Sequence, residues 1–135
     1  MTGVLLYNIG REKLPKIKFI LFKLGLRARE VSPAEFDRPI GALAGLEGFE
    51  AAEADGGDPF AGEMLVMCGL SSPQFSAFLN ALRQNRCAVA LKAVLTETNA
   101  AWSAARLYRE LAAEHAALQK VKPADAAKKS AHHSK

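Results

Sequence analysis

Two segments of this chain lack the alternation of apolar and polar residues that a half-wet strand shows: G-V-L-L-Y-N-I at residues 3 to 9 and M-L-V-M-C-G-L at 64 to 70. A strand apolar on both faces needs a packed layer on each side, so both belong in the interior of a sheet. Each is followed by a helical pattern and then a second strand. After the first comes R-E-K-L-P-K-I-K-F-I-L-F-K-L-G, a helix with Pro15 in its first turn and Gly25 at its C-cap. L-R-A-R-E-V then alternates apolar and charged residues as an edge strand does. After the second comes S-S-P-Q-F-S-A-F-L-N-A-L-R-Q-N-R as a helix, A-V-A-L-K-A-V-L as a strand, and an alanine-rich helix running to about Gln119. Between the halves, Ser32 and Pro33 start a short helix that breaks and restarts around Pro39, and residues 46–63 form an acidic, glycine-bearing loop.

Sliding the second half back by 61 residues lays Leu5 to Tyr7 on Val66 to Cys68, and Leu14, Ile17 and Leu21 on Phe75, Phe78 and Leu82. The chain therefore reads as an internal repeat of architecture, two β-α-β-α halves, without residue identity to prove a duplication. The expected fold is α/β: a four-stranded sheet in parallel order 2-1-3-4, with helices on both faces and right-handed crossovers. A ferredoxin-like α+β sandwich also puts the two apolar strands in the centre. Four helices rather than two favour the parallel sheet.

A chain of 135 residues makes one domain, here residues 1–119, followed by a lysine-rich tail at 120–135. The formal net charge of +4 resides in that tail, where five lysines meet Asp125 alone, so the body sums to zero. Within the body the signs segregate. Residues 1–29 carry seven basic groups against Glu12, and residues 30–63 carry nine acids against Arg38. The N-terminal apolar run has no basic region before it and is too short for a signal-peptide core or a membrane span. Cys68 and Cys87 flank a predicted helix of about 15 residues, which holds them about 20 Å or more apart, so they are expected to stay reduced in a cytoplasmic setting.

No metal-spacing motif, Walker loop, Rossmann fingerprint or hydrolase elbow occurs, and no cofactor or metal is expected. His115 falls on the core-facing stripe of the last helix, and His132 and His133 stand in the tail without a second ligand cluster. In a parallel sheet the C-terminal strand ends converge, and ligands bind there. Asn8, Cys68, Ser71, Ser72, Thr96, Thr98 and Asn99 would then make a polar rim; the same residue types also serve caps and turns. The first helix has two apolar faces. Leu14, Ile17, Leu21 and Leu24 form one; Phe19 and Phe22 form the other, flanked by Lys16, Lys18 and Lys23. That second face needs a cover: either the acidic segment with Phe49 and Phe60 folding back over it, or an interface with another subunit or an anionic partner.

Trp102, the only tryptophan, lies opposite the core stripe of the last helix. With Ser103 as N-cap, Trp102 is N′ and Leu107 is N4, the hydrophobic-staple arrangement; the alternative is a wall of a pocket at the strand end. The stretch K-A-V-L-T-x-T-N-x-x-W, followed by x-x-x-x-L-x-x-E-L-x-x-E-H and preceded by P-I-G-x-L-A-G at Pro39 to Gly45, resembles a small bacterial family known as a domain of unknown function. The likeness covers most of residues 4–118. It implies a bacterial cytoplasmic protein of similar fold and transfers no catalytic residue. M-L-V-M-C-G-L-S-S-P also resembles the cysteine loop of phosphotransferase-system IIB components, although no basic residue follows to hold phosphate.

These readings lead to a non-enzymatic ligand- or protein-binding, regulatory module that self-associates as a homodimer and does not bind membranes. Candidate binding residues are Asn8, Cys68, Ser71, Ser72, Thr96, Thr98, Asn99 and Trp102, and candidate interface residues are Lys16, Phe19, Phe22 and Lys23. The alternatives are an enzyme with Cys68 as an activated thiol, and weak, sequence-indifferent nucleic-acid binding by the tail.

Overall fold

A computed structural model of the chain describes residues 2–48 and 60–120, with side chains through 118. Most of the acidic loop, Phe49 included, and the tail beyond residue 120 lie outside the described residues. The first half runs β1 (Gly3–Tyr7), α1 (Leu14–Lys23) and β2 (Arg27–Val31), then a 3-10 turn at Pro33–Glu35 and the short α2 (Ile40–Leu43). The second runs β3 (Met64–Cys68), α3 (Ser72–Gln84) and β4 (Leu91–Val94), then a 3-10 turn at Asn99–Ala101 and α4 (Ala104–Lys120). Local chemistry sets these boundaries. Pro15 occupies the first turn of α1, where its missing N–H costs nothing, and Gly25 ends that helix at φ 73°, a conformation that disfavours a side chain. Ser71 caps α3 in a reciprocal box: Gln74 N donates to Ser71 Oγ at 3.2 Å, and Ser71 N donates to Gln74 Oε1 at 2.8 Å.

The sheet has the expected order, β2-β1-β3-β4, with β1 parallel to β2 and β3 parallel to β4. It is mixed, however, because β1 and β3 run antiparallel, with Leu5 opposite Val66 at the centre of the pair. The expectation of an all-parallel sheet is corrected here, and the cause lies in the connection between the halves. A parallel β3 would need a crossover that returns the length of the sheet. Among the described residues of that connection, the α-helix is α2, with four residues, a rise of about 6 Å against roughly 17 Å for a five-residue strand. The chain re-enters the sheet at the end where β2 left it, held there by the Asn8 amide on the Phe60 and Gly62 carbonyls, and Tyr7 pairs with Met64.

Reversing the second half changes which helices are neighbours. In an all-parallel sheet of this order, two right-handed crossovers leading outward from the centre would place α1 and α3 on opposite faces. With β3 reversed, both helices cover the same face. Ile17, Ile20 and Leu21 of α1 and Phe78 and Leu82 of α3 join Val4, Leu6, Leu65 and Met67 in one core. The other face carries Leu5, Tyr7, Met64, Val66 and Cys68 under Phe36, Ile40, Leu43, Ala104 and Leu107. Helices thus cover both faces, and the two apolar strands are buried at every residue, as their lack of alternation requires. Cys68 and Cys87 are free and buried on opposite sides of the sheet. At Gly3 a Cβ would collide with the Arg27 carbonyl oxygen, so glycine is what lets β2 approach there.

Two sequence expectations fail on the second face. Phe60 does not cover α1; it stacks between Phe36 (centroids 4.6 Å apart) and Tyr108 (4.3 Å), with Tyr7 alongside, so its ring fills the second core. His115 is exposed and not part of a core stripe. The reason is length: α4 has 17 residues and β4 has four. A helix of that size rises about 25 Å and outruns a strand of about 13 Å. Among the described side chains of α4, only Ala104, Ala105 and Leu107 are fully buried, and Leu118 is 67% exposed.

Candidate docking surface

Placing α1 beside α3 creates a groove with an apolar floor. Phe19, Ile20, Leu24 and Ala81 line a cleft of about 330 Å³, with Lys16, Lys23 and Asn85 at its margins. Ile20 faces the core while Phe19 and Phe22 point outward, 61% and 78% exposed. The Lys23 ammonium sits 5.6 Å from the centroid of the Phe19 ring, a cation–π contact that covers one ring face. Three of the four candidate interface residues, Lys16, Phe19 and Lys23, therefore line one surface feature, and Phe22 projects from the same helix. Sequence reasoning missed the contribution of α3, namely Ala81 and Asn85. Their signal is visible only when α3 is known to lie next to α1.

The electrostatics of this layer are one-sided. Residues 11–25 and 71–86 carry Arg11, Lys13, Lys16, Lys18, Lys23, Arg83 and Arg86 against one acid, Glu12. Lys13 pairs with Glu63 at 2.7 Å and Lys18 with Glu30 at 2.7 Å. Among the described residues, Arg11, Lys16, Lys23, Arg83 and Arg86 meet no carboxylate within ion-pair distance. Glu63 also accepts from Gly10 N at 2.8 Å. Partial burial pushes its carboxyl upward, but the Lys13 and Gly10 hydrogen bonds outweigh this and hold it below the ordinary range.

The strand-end candidates do not all share one rim, because β1 and β3 run antiparallel and finish at opposite ends of the sheet. Asn8 lies at one end, beside a cleft of about 320 Å³ lined by Leu6, Leu14, Glu30 and Ser32. Its amide donates to Phe60 O and Gly62 O. Cys68, Ser71, Ser72, Thr96, Thr98 and Asn99 lie toward the other end. Ser71 is engaged in its cap. Thr96 and Asn99 hold a turn: Thr96 N donates to Asn99 Oδ1 at 2.9 Å, Asn99 N to Thr96 Oγ1 at 3.1 Å, and Asn99 Nδ2 to Val94 O at 3.1 Å. Ser72 and Thr98 are exposed.

Cys68 has the opposite character to an activated thiol. It is 1% exposed, its Sγ donates to Val66 O, and burial pushes its pKa up to about 11. Trp102 is half-buried against the second core, and the Arg106 guanidinium stacks on its ring at 4.2 Å. Ser103 caps α4, accepting from Arg106 N at 3.1 Å. Ile40 N donates to Trp102 O and Ala104 N to Phe36 O, so the entry to α4 is stitched to the segment around α2.

Among the described residues no helix is long and apolar enough to cross a membrane, and no group of three or more His, Cys, Asp or Glu side chains could hold a metal ion. No curated protein and no solved structure matches the chain. Residues 63–118, the half from β3 into α4 that carries the K-A-V-L-T-x-T-N-x-x-W stretch, match the model of a protein family described as a domain of unknown function, DUF3783.

Proposed function

We propose that this protein is a non-enzymatic protein-binding module whose α1–α3 face docks an acidic segment of another protein through one or two apolar anchors. The observation that carries this reading is the coincidence of exposed Phe19, with exposed Phe22 on the same helix, and an apolar cleft in a helical layer whose own residues sum to a net positive charge. Charge complementarity would steer and orient the partner, and an apolar side chain in the cleft would hold it.

A second copy does not suit this surface. A two-fold interface puts the same patch against itself, and Lys16 and Lys23 would face their own kind. Nucleic acid suits it less well than protein. Stacking platforms present open ring faces, whereas Lys23 lies over Phe19, and a nucleic acid has no apolar side chain to fill the cleft. Two buried, unpaired thiols on opposite faces of the sheet, together with the family resemblance, support a bacterial cytoplasmic setting.

The test is a titration followed by amide chemical shifts. The probe is a peptide of glutamates around Leu and Phe anchors, and the control is the same peptide with lysine for glutamate. Perturbations at Phe19, Phe22, Ala81 and Asn85 with the acidic peptide alone are expected. Phe22→Ser with Lys23→Glu should abolish them while leaving unfolding within about 0.5 kcal/mol, because both side chains are solvent-exposed. Shifts scattered over other surfaces, or equal response to both peptides, would sink the proposal.

A further inference from the structure

The two edges of the sheet are treated differently. On β2, Arg27, Arg29 and Glu30 are exposed, and Arg29–Glu35 and Lys18–Glu30 ion pairs crowd the edge with charge, the usual protection against strand addition. On β4 the one charged residue, Lys92, turns its ammonium back onto its own Val89 carbonyl at 2.6 Å, while Val94 is 48% exposed. Among the described residues no strand pairs with the outer side of β4.

The ladder tells which backbone groups that edge offers. Leu95 N donates to Met67 O. By the alternation of a parallel pair, Leu91, Ala93 and Leu95 direct their backbone groups to β3, and Lys92 and Val94 direct theirs outward.

We infer that β4 is the self-association edge of this protein, pairing antiparallel with β4 of a second copy across a two-fold axis at Ala93. In that register Lys92 of each copy exchanges N–H and C=O with Val94 of the other, so every outward group is satisfied. Ala93 meets Ala93 at the axis, where a small side chain permits close approach. The aliphatic stem of Lys92 lies along the exposed Val94 opposite, and the two lysines are kept apart. A two-fold perpendicular to the sheet keeps both α4 helices on one face, side by side and antiparallel. There the overhanging part of α4 exposes Ala116 and Leu118, and a cleft of about 330 Å³ lies between Leu91 and Ala112, His115 and Ala116.

The experiment is sedimentation equilibrium of the full chain over a wide concentration range, with three variants. Val94→Lys places a lysine opposite Lys92 twice by symmetry and should weaken the dimer roughly tenfold or more. Val94→Glu places a carboxylate there and should leave the dimer intact or tighter. Phe22→Lys, on the other face, should not change association. Thermal melting of each variant monitors the fold. A wild-type chain that stays monomeric throughout, a dimer indifferent to the sign of charge at residue 94, or one lost with Phe22→Lys would each overturn the inference. None of these outcomes depends on whether the α1–α3 face binds an acidic peptide.

Discussion

Asn8 donates from one side-chain amide to the carbonyls of Phe60 at 2.8 Å and Gly62 at 3.1 Å, across more than fifty residues of chain. That clamp fixes the point where the chain returns to the sheet, and so helps set β3 antiparallel to β1. Asn8 also stands at φ 57°, a left-handed conformation that asparagine tolerates better than most residues. Two effects therefore separate by substitution. Asn8→Gly loses the hydrogen bonds and keeps the backbone, and should cost about 1–2 kcal/mol; Asn8→Ala loses both and should cost roughly 1 kcal/mol more. Urea unfolding of the two variants checks the order, and Ala tolerated as well as Gly would contradict it.

At the entry to α4, Ser103 is fully buried and caps the helix, whereas Trp102 is half-exposed beneath Arg106. Ser103→Ala should cost about 1 kcal/mol through the lost cap. Trp102→Ala should cost about 2 kcal/mol, below the 3–5 kcal/mol usual for a fully buried tryptophan, because part of the ring already meets water. A calorimetric comparison in which Trp102→Ala proves neutral would show that the packing against the second core does not hold this turn.

Strand order and the two-sided burial of β1 and β3 were legible because they follow from apolar patterning alone. Strand direction was not, since an interior strand is apolar on both faces whichever way it runs. The information lay in contacts between residues far apart in the chain: the Asn8 amide holds the Phe60 and Gly62 carbonyls at the end of β1, where β3 begins. This one reversal explains why Asn8 stands apart from the other strand-end residues, and it also explains the groove. Phe19, Phe22, Lys16 and Lys23 could be read from the outer face of α1, but Ala81 and Asn85 become its neighbours only when α3 shares a face with α1. His115 illustrates a different limit. Helical periodicity gave its face correctly relative to Leu107 and Leu111, and said nothing about where the sheet beneath α4 ends.

Both thiols are buried, and burial raises the pKa of each, to about 11 for Cys68. Near pH 7 the Cys68 thiolate fraction is then about one part in ten thousand, and the nucleophile is the thiolate. Dilute iodoacetamide should label neither cysteine appreciably in the native protein and both rapidly in denaturant, as followed by intact mass. Fast native labelling of Cys68 alone would restore the activated-thiol alternative.

Alkaline pH should weaken this fold through its second core, and Tyr7 supplies the decisive variant. Its hydroxyl is buried among Phe36, Phe60 and Cys68 with no hydrogen-bond partner among the described residues, and burial holds its pKa well above the ordinary phenol value. Cys68, raised to about 11, behaves in the same sense. For both groups the unfolded chain releases its proton first, so the unfolded state binds fewer protons and stability falls as pH rises. The loss should begin near the unfolded values, about 9 for the thiol and 10 for the phenol, and deepen through pH 11. Glu63 acts on the acid side with the opposite sign: its lowered pKa gives stability that is present above about 4.5 and lost as pH falls through the folded value. Tyr7→Phe removes an unsatisfied buried hydroxyl without changing the shape of the core, so it should raise stability at pH 7 by about 1 kcal/mol and flatten the alkaline limb. Urea midpoints measured from pH 4 to 11 for the wild type, Tyr7→Phe and Glu63→Gln resolve the two limbs. A destabilised Tyr7→Phe protein would mean that the hydroxyl makes a bond worth keeping, and an unchanged alkaline limb would move that dependence away from Tyr7.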